Sequence, residues 1–116
     1  MFRIPPEAQA NACESILDLN AGGTQTGLNR ARQLCKERTI DLETMRNIKA
    51  WMARHGPGAS NGGTSYAGYK RWREKCSDPV HFIGCPDLSS GKYPAPVSWL
   101  RWGGDAMYKF IQKVNI

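Results

Sequence analysis

The stretch SWLRWGGDAMYKF, Ser98 to Phe110, decides how the chain is read. Trp99 and Trp102 sit about one helical turn apart and run straight into Gly103-Gly104-Asp105. Tryptophans beside a glycine pair suit either a platform for stacking bases or a packed corner. Pro96 fits a first helical turn, and Val97, Trp99, Leu100 and Trp102 follow it. Four such apolar neighbours are hard to leave in water, since each indole alone carries a large apolar surface. Gly103-Gly104 then ends or bends the helix, because glycine adopts left-handed angles at little cost. Asp105 is expected to cap a final helix over 106–114 that turns Ala106, Phe110, Ile111 and Val114 inward. The packed corner is the expected reading, with base stacking on Trp99 and Trp102 as the sharper alternative.

Upstream, helical periodicity recurs. Residues 5–19 read as a helix opened by Pro5-Pro6, with Ala12, Cys13, Ile16 and Leu17 on one face and Leu19 on its flank. Asn20-Ala21-Gly22-Gly23 is a stop signal. A second helix spans 27–37, capped by Thr24 or Thr26, with Leu28, Ala31, Leu34 and Cys35 as its buried stripe. A third spans 42–55, capped by Asp41 and closed by Gly56. Its stripe is Leu42, Met45, Ile48, Trp51, Met52 and His55. A fourth starts at Thr64 or Ser65 and runs to Lys75, with Tyr66, Tyr69, Trp72 and Cys76 along one side. Residues 56–64 form a glycine-rich loop, and residues 77–96 an irregular connection rich in Pro and Gly. Val80-His81-Phe82-Ile83 is the only strand-like run and is too short to support a sheet. The expected fold is mainly α: one small domain over 1–116, a bundle of four to six short helices.

Bulk properties narrow the function. The chain has 116 residues and a net charge of +6. The charge is uneven: residues 1–27 sum to −2, 28–68 to +4 and 69–76 to +3. A basic middle favours an anionic partner, nucleic acid first and a membrane surface second; the bland alternative is a solvated surface. No run of about 18 apolar residues exists for a membrane span, and Met1–Pro6 shows no signal-peptide core. Intracellular synthesis without export is expected, without membrane association. Four cysteines permit disulfides, but without an export signal reduced thiols are expected.

Candidate chemistry follows from the charge. If 27–37 and 42–55 form a helix-turn-helix, 42–55 would be the reading helix. Arg46, Asn47, Lys49, Ala50 and Arg54 would then make its outer face, with Asn47 able to read a base edge. The turn 37–41 lacks a glycine, and a plain helical hairpin fits it better. Lys70, Arg71, Arg73 and Lys75 crowd the fourth helix between its aromatics. The candidate nucleic-acid-binding residues are Arg46, Asn47, Lys49, Arg54, Lys70, Arg71 and Arg73. Cys76, His81 and Cys85 could hold zinc with a fourth ligand from Cys35, Cys13 or His55, but the spacing matches no standard finger. A Cys85 nucleophile with His81 as base has no evident orienting acid. Asp87, Asp105 and Glu74 read as turn, cap and surface residues. No catalytic residue, metal or cofactor is expected.

Two stretches, 26–55 and 98–113, resemble a small domain of tailed-phage and prophage sequences that often lies beside head-assembly genes. The resemblance rests on Gly27, Arg30, Ala31, Leu34, Arg54, His55, Trp99, Leu100, Trp102, Gly103, Gly104 and Asp105. It covers about half the chain and leaves out the glycine loop, the 66–76 helix and the Cys76–Cys85 segment. It implies a viral origin and carries no catalytic residue over. His55, Trp102 and Asp105 could be a shared structural core. Taken together, a non-enzymatic phage protein that contacts nucleic-acid phosphates is expected. The alternatives are a virion component, capsid-binding, cement or head-assembly, and a phage effector that blocks a host protein.

Overall fold

The computed structural model describes residues 1–17 and 22–116. The predicted end of the first helix at Leu19 and the stop signal at Asn20-Ala21 lie outside the described residues. Six α-helices are present among them: α1 Pro6–Ser15, α2 Gln25–Lys36, α3 Leu42–His55, α4 Thr64–Arg73, α5 Pro94–Arg101 and α6 Gly104–Lys113. The fold is mainly α, as the periodicity predicts. The caps follow the side-chain chemistry. Thr24 Oγ1 accepts from the Gly27 amide at 3.1 Å, and Asp41 Oδ1 accepts from the Thr44 amide at 2.8 Å.

The short helix α5 sits at the centre and packs on α1, α2, α4 and α6. Pro96, Val97, Trp99, Leu100 and Arg101 are all buried, so this helix has almost no wet face. Trp99 is 0 % exposed and Trp102 6 %, which makes the stretch a packed corner and removes both indoles as stacking platforms. Around them the aromatics form layers. Trp51 stacks on Trp102 with centroids 4.8 Å apart and planes at 8°. His55 lies 4.7 Å beyond Trp51, and Tyr66 meets Trp99 edge-on at 5.3 Å.

Asp105 departs from its expected role. The N-cap of α6 is Gly103, whose φ of +103° only glycine holds without strain. Asp105 lies inside the first turn instead. Its carboxylate accepts from Trp99 Nε1 at 2.9 Å and from Arg73 Nη1 at 2.9 Å. Asp105 therefore ties α4, α5 and α6 together. The inward face of α6 differs as well: Met107 and Ile111 are buried, while Ala106, Phe110 and Val114 are half-buried. Leu17 and Leu42, expected on buried faces, are exposed.

Two further elements are too short to predict. Phe2–Arg3 pairs antiparallel with Thr39–Ile40, Phe2 opposite Ile40. This ribbon seals Ile4 and Ile40 into the core. The run Val80–Ile83 is no strand: it is a turn closed by the Asp78–Ile83 bridge, with Phe82 at φ +57°.

The cysteines correct the expectation of reduced thiols. Cys13 is bonded to Cys35 and Cys76 to Cys85. The first bridge joins α1 to the end of α2, where Gln9 Nε2 also donates to the Glu37 carbonyl at 2.7 Å. The second pins the irregular connection to the end of α4, helped by Trp72 Nε1 donating to the Pro86 carbonyl at 3.0 Å. Cys76 and Cys85 thus cannot ligate zinc, and Cys85 is not a free nucleophile. Among the described residues no three His, Cys, Asp or Glu side chains gather as a metal site.

Two outcomes test this scheme. Replacing the pair Cys13/Cys35 by alanine is expected to cost about 3 kcal/mol by loop-closure entropy, and Cys76/Cys85, with its shorter loop, somewhat less. Urea unfolding of the two double variants measures the order. Asp105→Ala should cost about 2 kcal/mol or more, because it leaves the buried Trp99 N–H unpaired. Asp105→Asn should cost less, since its amide oxygen still accepts from the indole.

Candidate nucleic-acid interface

The helical rotation of about 100° per residue decides where each cation points. On α3, Arg46, Asn47, Lys49 and Arg54 are all exposed on the face away from the Met45–Ile48–Met52 stripe. Lys49 is partly engaged: its Nζ donates to the Ile116 carbonyl at 2.7 Å. His55 closes the same helix half-buried. Burial first and the charge of Arg54 second hold its imidazole below the ordinary value.

The α4 cluster divides. Arg71 and Arg73 are two positions apart and so leave the helix on opposite flanks of its buried stripe. Arg73 turns to α6, pairs with Asp105 at 2.9 Å and lies 5.5 Å over the Tyr69 ring. Burial raises the Tyr69 phenol above its ordinary value, with the Asp105 charge adding to it. Arg73 is a structural cation rather than a free phosphate contact. Lys70 is exposed on the outer face of α4.

Arg71 turns the other way, into a groove of about 470 Å³ between α4 and the start of α5. Lys75 and Lys92 line the same groove, with Glu74 as its one acidic residue and Pro94, Ala95 and Pro96 as its apolar floor. Lys75 Nζ lies 5.7 Å over the Tyr93 ring. Among the described residues, Arg71, Lys75 and Lys92 make no salt bridge. None of the four α3 residues lines this groove. The structure therefore brings Arg71 together with two cations outside the candidate set and separates it from Arg46, Asn47, Lys49, Arg54 and Arg73. Lys75 was visible in the basic run of α4. Lys92 and Tyr93 carry no local signal, because only the fold returns the irregular connection to α4.

The groove depends on the close approach of α4 and α5 at Gly68. A methyl group there would collide with the methyl of Ala95. Gly68→Ala is expected to destabilise the protein by about 1–3 kcal/mol through overpacking, and adding Ala95→Gly should recover much of the loss. Thermal and urea unfolding of the single and double variants check this. Compared with known proteins, the chain matches no family model, no curated protein and no solved structure.

Proposed function

We propose that the protein binds nucleic acid through its phosphate backbone, with the α4–α5 groove as the main contact. The observation that supports this is the convergence of Arg71, Lys75 and Lys92, all unpaired among the described residues, on one groove. Their charges are free to replace counterions on a phosphate backbone, and Tyr93 offers an aromatic edge beside them. Lys70 extends the patch outward. The exposed face of α3, with Arg46, Asn47, Lys49 and Arg54, is a second contact surface for a long ligand. On this reading the protein has no reaction of its own. The phage origin belongs to the same proposal. It rests on the sequence resemblance carried by Gly27, Arg30, Trp99, Trp102 and Asp105.

A second reading has its own observation. Val80 and Ile83 are 71 % and 56 % exposed on a turn fastened by Cys76–Cys85. A rigid, apolar, solvent-facing turn suits a protein partner, such as a capsid or head-assembly protein. The two disulfides also suit a virion surface or an oxidising compartment better than the host cytoplasm. No helix among the described residues is long and apolar enough to cross a membrane.

The test is binding to a fluorescent single-stranded and double-stranded oligonucleotide at several salt concentrations. Affinity should fall steeply with salt, and the double variant Arg71→Gln/Lys75→Gln should lower the slope of log K against log salt by about 2. No retention at low salt, or a slope unchanged in that variant, overturns the reading.

A further inference from the structure

Helix α6 carries a second face besides its buried stripe. Met107 and Ile111 point into the core. Ala106, Lys109, Phe110 and Lys113 recur at i, i+3, i+4 and i+7, so they share one outer flank. Pro5, Pro6 and Glu7, at the start of α1, stand across from that flank and enclose with it a cavity of about 370 Å³. Glu7, Ala106 and Lys109 also line a second cavity of about 400 Å³, whose far wall includes Tyr69, Pro79 and Val80. The two cavities adjoin through these shared residues. Together they make one groove, from Lys113 to the exposed turn at Val80.

The floor of the groove is apolar. Pro5 and Phe110 are half-buried, while Pro6 and Val80 stand in solvent. The rim is cationic. Lys109 and Lys113 are exposed, one helical turn apart, and make no salt bridge among the described residues. Glu7 is exposed and likewise makes none. Deeper along the groove Arg73 and Asp105 neutralise each other at 2.9 Å. Two lysines therefore face one carboxylate. Lys113 also serves the helix dipole, because it ends α6. Lys109 sits mid-helix and has no such duty, yet it borders both cavities. The groove lies by the first turn of α1, about 15 Å along that helix from its last residue, Ser15.

We infer that the α1–α6 groove docks an acidic amphipathic peptide segment of a partner protein. Its apolar side chains lie on Pro5, Phe110 and Val80, and its carboxylates on Lys109 and Lys113. A helical segment of about 12 residues is about 18 Å long. It offers apolar side chains at the same i, i+3, i+4 and i+7 spacing and packs on α6 as one helix packs on another. Nucleic acid suits the groove less, since Glu7 repels phosphate and the prolines and alanines of the floor offer nothing to bond it. The groove shares no lining residue with the α4–α5 groove. The inference does not rest on the nucleic-acid reading.

The test selects peptides from a displayed random library on the immobilised full chain and measures the enriched peptides by fluorescence anisotropy. Enriched sequences should combine Asp or Glu with Leu, Phe or Trp, and their affinity should fall with salt. Lys109→Glu/Lys113→Glu should weaken them about tenfold, and a selection repeated on that variant should enrich Lys or Arg instead. Val80→Ser should weaken them severalfold, and Arg71→Gln/Lys75→Gln should leave them unchanged. All these positions are exposed, so thermal unfolding of the variants should match the parent. No enrichment, enriched peptides without acidic residues, or an affinity unaltered by the charge reversal overturns the inference. So does retention on vesicles of phosphatidylserine and phosphatidylcholine, or self-association in sedimentation, that the charge reversal abolishes. The face would then belong to a membrane or to a second copy of the chain.

Discussion

Trp99 has to be dry on every side and still give its indole N–H a partner. One carboxylate meets both demands: Asp105 accepts from Trp99 and holds Arg73 with its other oxygen. That carboxylate sits on α6, its two donors on α5 and α4, so the bond sets how the three helices lie on one another. The turn at Gly103 makes it possible, since it brings Asp105 back over Trp99 within six residues. The aromatic layers, the groove beside Gly68 and the burial of Arg101 all inherit their positions from this junction. A core tied by a polar clasp rather than by apolar contact alone also has a defined register, because an unpaired buried group disfavours sliding.

The parts that sequence reveals here are those governed by neighbours along the chain. The stripe Met45, Ile48, Met52 predicts α3, Asp41 reads as its cap, and Thr24 or Thr26 as the cap of α2, of which the structure uses Thr24. Trp99 and Trp102 declare themselves interior by their apolar surroundings. The parts that stay hidden are governed by distant partners. Asp105 reads as a cap because aspartate before a helix usually is one, and nothing local shows that Trp99 and Arg73 claim it first. The Phe2–Ile40 pairing spans two residues on each side, below any periodicity. The thiols read as reduced because Met1–Pro6 shows no signal-peptide core, whereas their pairing is set by the packing of α1 on α2 and of the connection on α4. Val80–Ile83 has strand composition but no neighbouring strand to bond, so it closes on itself.

The charges follow the same division. Their number and their place along the chain are plain in sequence, yet their grouping in space is not. Two positions of helix send Arg71 and Arg73 to opposite flanks, and the second is absorbed by the core. Lys92 joins Arg71 only because Cys76–Cys85 and the Trp72 indole fold the connection back. Arg101 is one of sixteen Lys and Arg residues in the sequence, and its helix has no wet side left to offer it.

The two bridges do not interleave. Of three possible pairings of four cysteines, the structure uses the one in which each cysteine joins its nearest neighbour along the chain. A polypeptide delivered amino end first to an oxidising milieu has Cys13 and Cys35 in hand before Cys76 arrives. Each cross-link then closes within material already delivered, and no wrong partner is present while the first one forms. Sequential closure of this kind has little call on an isomerase.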